Sequence, residues 1–170
     1  MDMLVKLYNL PEFSSLLLEL KKMSIEIRQA WPSEKRVIAT WVRDQFSNTW
    51  ANEAEASLEQ RPTTCYIATQ KDPGHQPTYP YDLPFETLLG FSCYDAIYKG
   101  MYGPVGVRED FRGHGIGKAL LLATLQAMYL NRYAYAVIGW VGPTDFYTQT
   151  VNAIPIEGTE PGFFRGPLIT

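Results

Sequence analysis

The sequence predicts an α/β (α+β) fold in which helices cover a mixed central sheet, and three observations predict it. Strand-like alternation or apolar runs occur at residues 3–8, 24–29, 63–69, 87–98, 101–107 and 135–141. Between them, apolar residues recur at helical spacing over residues 33–46, 50–60 and 115–132. The 170-residue chain is 46% hydrophobic and 19% charged, the balance of a folded globular protein. That length suits a single domain over residues 1–170, with residues 1–24 as an N-terminal extension of strand and helix.

Residues 3–8 read as a short strand, and Pro11 can open a helix to Lys22 because its missing N–H falls where no helical partner exists. Ile25 and Ile27 alternate in the next strand. Ser33 is placed to cap a helix carrying Val37, Ile38, Trp41, Val42 and Phe46, and a second helix from Trp50 stops before Pro62. The strands at 63–69 and 87–98 are joined by a Pro-rich hairpin loop, residues 70–86, with Pro73, Pro77, Pro80 and Pro84. Its Tyr79, Tyr81 and Phe85 allow either a lid over a substrate or a solvated insertion. Residues 101–107 form a strand interrupted by Gly103-Pro104, and residues 115–132 a strongly apolar helix. The run at 135–141 suits a strand buried on both faces, Pro143 starts a short helix to Thr150, and the tail reads as two strands around Pro161-Gly162.

Composition excludes several functions. A formal charge of −3 offers no broad basic field to a nucleic acid. Residues 1–22 carry Asp2, Lys6, Pro11 and Glu19 among their apolar positions, unlike a signal peptide, and no segment has the apolar length of a membrane span. Cys65 and Cys93 have the spacing of neither a metal site nor a redox pair, and two free buried thiols are expected. These features predict a cytoplasmic protein with no metal, nucleic acid or membrane partner. The tail strands can pair across a two-fold axis, which leaves a homodimer open.

The chemistry is concentrated between Val105 and Lys118. Val105-Gly106-Val107 leaves a strand, and Arg112-Gly113-His114-Gly115-Ile116-Gly117-Lys118 enters a helix through three alternate glycines. Main-chain N–H groups can converge there without Cβ obstruction, and the helix N-terminus adds the positive end of its dipole, so a phosphate or pyrophosphate is the natural guest. A mononucleotide phosphate loop needs four residues before its Gly-Lys pair and then Ser or Thr, whereas Ala119 follows Lys118 here. The dinucleotide fingerprint needs Gly or Ala where Lys118 stands. His114 lies within the anion loop, which favours a main-chain role over that of a base, and Lys118 can either reach a phosphate or remain solvated.

What remains is Arg112-x-x-Gly115-x-Gly117, which resembles the Gln/Arg-x-x-Gly-x-Gly/Ala acetyl-coenzyme A loop of the GNAT superfamily of N-acetyltransferases. The setting resembles it too: a Val-x-Val strand before, a long apolar helix after, then a buried strand leading to Phe146-Tyr147. The likeness extends over about residues 25–164 and is best at 101–153. It implies a GNAT-like sheet with splayed strands holding coenzyme A, and acetyl-CoA as cosubstrate. It further implies an amine acceptor on a small molecule, peptide or protein, and coenzyme contacts from Val105, Gly106, Val107 and the run Arg112 to Lys118.

Transfer needs a donor to the thioester oxygen and a proton for the thiolate. Gly103-Pro104 should break strand pairing and free amides around Val105 to polarise the carbonyl. Tyr147 matches the tyrosine that many GNAT members use as proton donor. A phenol of pKa about 10 can protonate a thiolate whose thiol has a pKa of about 8.5. A structural role competes, since the chain has 11 tyrosines. Many relatives carry Asn where this chain reads Trp140-Val141-Gly142-Pro143, and Asn152 replaces the usual helix-ending Gly, a left-handed turn it can adopt. Glu53, Glu55 and Asp95 would border an acceptor cleft in this architecture. The alternatives are a non-catalytic acyl-CoA binding or sensing domain, and an interaction protein whose glycines serve only a turn.

Overall fold

The computed structural model describes residues 1–72, 74 and 85–163. Seven strands, β1 (Met3–Lys6), β2 (Ile25–Gln29), β3 (Cys65–Lys71), β4 (Glu86–Tyr94), β5 (Met101–Val107), β6 (Tyr135–Ile138) and β7 (Ile154–Pro155), form one sheet. Five α-helices accompany it: α1 (Ser14–Lys22), α2 (Lys35–Gln45), α3 (Asn48–Glu59), α4 (Ile116–Leu130) and α5 (Thr144–Val151). The sheet order is β2-β3-β4-β5-β6-β1-β7, antiparallel throughout except for β5 beside β6. Residues 3–6, read from sequence as part of an extension, are thus an interior strand between β6 and β7.

Helices divide between the two faces of the sheet. On one side α4 is the central element: Leu120 and Ile116 pack with Leu20 of α1 and Leu89 of β4, while Leu121, Leu125 and Met128 pack with β1, β6 and α5. A hydrogen bond of 2.5 Å between the buried hydroxyls of Ser92 and Thr124 ties α4 to β4. On the other side α2 and α3 cover β3 and β4 through Ile38, Val42, Ala54, Leu58, Ile67 and Phe91. The helices on that side pack over β3 and β4 and leave the β5–β6 seam open beyond α3. Among the described residues no helix is long and apolar enough to cross a membrane.

Several local expectations change. Helix α1 begins at Ser14 rather than Pro11, because the Glu12 carboxylate accepts from the Ser14 N–H at 2.6 Å. Ser33 caps nothing. Pro32–Glu34 is a 3-10 turn in which the Glu34 carboxylate accepts from the Trp31 N–H at 2.7 Å while it pairs with Arg28. The cap of α3 is instead Ser47, whose hydroxyl accepts from the Trp50 N–H at 3.1 Å. Strand β4 stops at Tyr94 because Asp95 turns the chain at φ +55° and accepts from the Gly100 N–H at 2.7 Å. Strand β6 ends at Ile138 and is not buried on both faces: Ala136 and Ile138 enter the α4-side core, while Tyr135 is exposed. The tail contributes only β7 among the described residues, and most of the Pro-rich loop, with its Tyr79 and Tyr81, lies outside them.

As expected, Cys65 and Cys93 are buried free thiols, facing each other across β3 and β4. Asn152 closes α5 at φ +51°, the left-handed turn in which an Asn can stand for Gly.

Candidate active site

Strands β5 and β6 pair only at Met101–Val137 and Tyr102–Ile138, then part at Gly103. The β4–β5 register slips at the same place, between Ser92 and Tyr94. Beyond the slip, the Arg108 N–H bonds to the Leu89 carbonyl at 2.8 Å, which fixes the ladder's alternation. Gly106 therefore commits its main-chain groups to Phe91, whereas the N–H groups of Val105 and Val107 point away from β4 into the gap that β6 has left.

At the end of β5 the chain passes through a 3-10 turn, Glu109–Phe111, and enters α4 at Gly115, which has φ +84°. A side chain there would be strained by that angle and its Cβ would lie 2.8 Å from Leu16 of α1, so the position requires glycine. None of the N–H groups from Gly113 to Lys118 has a protein partner among the described residues, and no side chain caps the helix. The Arg112 guanidinium is drawn back to the strand end, Nε donating to the Val107 carbonyl at 3.2 Å. The His114 ring lies at 3.1 and 3.3 Å from the carbonyls of Arg112 and Phe111, which suits support of the loop. Lys118 is exposed in the first turn, and the Ile116 side chain is buried in the core.

A cavity of about 480 Å³ opens where the strands part. It is lined by Gly103, Pro104 and Val105 on one lip, by residues 138–142 on the other, by Tyr147 of α5, and by Thr49, Trp50 and Glu53 of α3. Tyr147 belongs to the α4-side core and Trp50 packs on the α3-side core, so the cavity passes through the sheet. Burial raises the pKa of the Tyr147 phenol above its ordinary value, which keeps it a proton donor at neutral pH. Tyr102 lines the same space, is 2% exposed, and its hydroxyl has no hydrogen-bond partner among the described residues. Burial first, then the nearby Tyr147, pushes its pKa far up; the Ser92 hydroxyl eases that only slightly and is itself engaged with Thr124.

Sequence reading missed Tyr102 and also Asp2. The Asp2 carboxylate is buried and accepts the Trp140 N–H at 2.9 Å through Oδ1 and the Phe163 N–H at 3.2 Å through Oδ2. The Asp2 carbonyl accepts the Ile156 N–H at 2.9 Å and the Met1 carbonyl the Val141 N–H at 3.0 Å, so these two residues tie down one wall of the cavity. A single aspartate 138 residues from its partner gives no local signal. Of the three carboxylates considered for the acceptor cleft, only Glu53 lines the cavity. Asp95 is taken up by its turn, where it also accepts the Tyr133 hydroxyl at 2.5 Å. Among the described residues no group of three or more His, Cys, Asp or Glu is placed to hold a metal ion.

Residues 35–147 of the chain match the family model described as the acetyltransferase (GNAT) family. The chain belongs to the GNAT acetyltransferase family. Solved structures of the same fold resemble it. One is a fungal glucosamine N-acetyltransferase region of a multidomain β-N-acetylglucosaminidase: TM-score 0.66, 15% identity, covering 88% of this chain and 19% of that one. A second is a GCN5-related N-acetyltransferase from Sphaerobacter thermophilus, with TM-score 0.54, 21% identity and coverages of 81% and 40%. A third, from Mycobacterium tuberculosis, was solved in complex with CoA: TM-score 0.50, 19% identity, coverages of 79% and 75%. At these identities the likeness is one of fold, and this GNAT chain spans less than half the length of the first two. No curated protein matches it.

Proposed function

We propose that this chain transfers an acetyl group from acetyl-CoA to a primary amine. The observation that carries the reading is the junction of two features. Among the described residues the N–H groups of residues 113–118 have no partners at the start of α4, and β5 leads from there to a gap lined by Val105 and Tyr147. The first suits a pyrophosphate, whose charge the helix dipole and Arg112 complement. The second suits a thioester. The Val105 and Val107 N–H groups can pair with the pantetheine amides and the acyl carbonyl, since strand-edge N–H groups bind an extended ligand as they would another strand.

Within that frame Val105 and Val107 contribute N–H donors, Gly106 serves by its place between them, and Arg112, Gly113, His114, Gly115, Ile116, Gly117 and Lys118 form the pyrophosphate loop. Amine nitrogen attacks the acyl carbon, a C–N bond forms as the C–S bond breaks, and Tyr147 protonates the departing thiolate. The orphaned Tyr102 hydroxyl adds support, because a buried hydroxyl without a partner is costly and a bound acyl group can supply one. The CoA bound in the mycobacterial structure of the same fold is consistent with this reading.

Incubation with acetyl-CoA and a panel of primary amines, followed by thiol titration, tests it. Amine-dependent release of free CoA is expected. Saturable acetyl-CoA binding with no thiol release would make this a binding or sensing domain, and absence of binding would remove both readings.

A further inference from the structure

The cavity is lined by Trp50 and Glu53 of α3, and also by Ile97, Trp140 and Phe163. Among the described residues Glu53 is the only carboxylate lining the cavity, and no Lys, Arg or His lines it. Glu53 is half-buried, and unlike Glu34, Glu59 and Glu86, each paired with an Arg or Lys, it makes no ion pair and no hydrogen bond among those residues. Burial alone raises its pKa. A partly desolvated carboxylate without a partner is unfavourable, and the cost is offset when a cation arrives. Trp50, three residues earlier on α3 and lining the same cavity, favours the same guest, since an indole face attracts cations and apolar bodies alike.

Resting on the acetyl-transfer reading above, we propose that the acceptor is a primary amine on an apolar, ring-sized body, its ammonium paired with Glu53 and its body seated against Trp50, Trp140 and Phe163. An acidic acceptor would meet Glu53 with no compensating cation among the described lining residues, and a small polar amine would gain nothing from the indole face of Trp50. The position also suits proton transfer. The incoming ammonium carries three protons and the amide product keeps one. Of the two released, one ends on sulfur by way of Tyr147, and the other passes to the Glu53 carboxylate and then to water. Each turnover thus converts one ammonium and one thioester into one amide, one thiol and one free proton.

Three acceptor probes separate the possibilities: 2-phenylethylamine, ethanolamine and aspartate. The expected order of kcat/KM is 2-phenylethylamine first, by at least about tenfold over ethanolamine, with aspartate lowest. Glu53→Gln should raise the KM for 2-phenylethylamine by about tenfold or more while acetyl-CoA affinity stays within about twofold. The substitution removes no hydrogen bond or ion pair, so the fold should persist. Glu53→Asp, which keeps the charge, should lie closer to wild type than Glu53→Gln; the opposite order overturns the proposal. Equal turnover of all three acceptors, or an unchanged KM in Glu53→Gln, also overturns it and leaves acetyl transfer standing. Trp50 and Trp140 supply a readout free of the thioester, namely quenching of intrinsic fluorescence by 2-phenylethylamine alone. Quenching that requires Glu53, with acetyl-CoA neither bound nor consumed, would uphold the amine site and sink the transferase reading instead.

Discussion

The loop at residues 112–118 and the α3-facing wall of the cavity are assembled in different ways. The loop's polar groups are main-chain N–H groups of consecutive residues, presented by one helix start and supported by contacts within a few residues, such as Arg112 to Val107. The wall is gathered from α3, from the turn after β6 and from Phe163, and the last two are joined by Asp2 across 138 and 161 residues of chain. The difference teaches where tolerance lies. A local main-chain site is indifferent to most side chains but vulnerable to a misplaced charge, whereas a side-chain wall can be retuned but depends on distant staples.

The largest effect that would break this contrast comes from Gly117→Asp. Its Cβ would lie 3.6 Å from Val107, an ordinary contact, and an acid in a first helical turn suits the dipole. The fold should hold while acetyl-CoA affinity falls by about a hundredfold, measured by calorimetry. Gly115→Asp is a poorer probe, since the left-handed φ and Leu16 would add strain to the charge effect. Tyr147→Phe comes next: kcat should drop by about a hundredfold with acetyl-CoA affinity little changed, and equal losses in both would argue against the acid role. Because burial raises its pKa above the ordinary tyrosine value, any alkaline fall in wild-type kcat that belongs to Tyr147 should be centred above that value and be absent in Tyr147→Phe.

Asp2→Asn sharpens the comparison from the other side. Its amide would set a donor against one of the two N–H groups that Asp2 now accepts, costing about 2 kcal/mol, or about 4–8 °C in Tm. Acceptor KM should rise while pyrophosphate binding is spared. Tyr102→Phe should leave Tm unchanged or slightly higher, since no hydrogen bond is lost, yet slow turnover several-fold; a fall in Tm without kinetic loss would mark the hydroxyl as structural.

The smallest effect is the pH dependence of Glu53. A raised carboxyl pKa means that the folded state favours the protonated form; that stabilisation is complete below the ordinary value of 4.5 and is lost as pH rises through the raised one. Glu53→Gln should therefore gain slightly on wild type in Tm as pH goes from about 4 to 7.

Strand β5, α4 and the loop between them were legible from residues 101–132 alone, because strand alternation, helical spacing and positive-φ glycines are properties of neighbouring residues. The same holds for the left-handed Asn152. Helix starts were less legible: the Glu12 carboxylate accepts the Ser14 N–H where Pro11 was expected to open α1, and the Glu34 carboxylate accepts the Trp31 N–H in a 3-10 turn where Ser33 was expected to cap. The insertion of β1 between β6 and β7 carried no sequence signal, and neither did the contacts of Asp2 or the lack of partners for Tyr102 and Glu53 among the described residues.

Local chemistry thus laid down an uncapped, glycine-rich helix start and a buried apolar helix behind it, with a tyrosine on the helix that follows. Which side chains line the cavity depended on sheet order, because strand pairing brings together residues that are remote along the chain, and no pattern within a short window can report on a neighbour more than a hundred positions away.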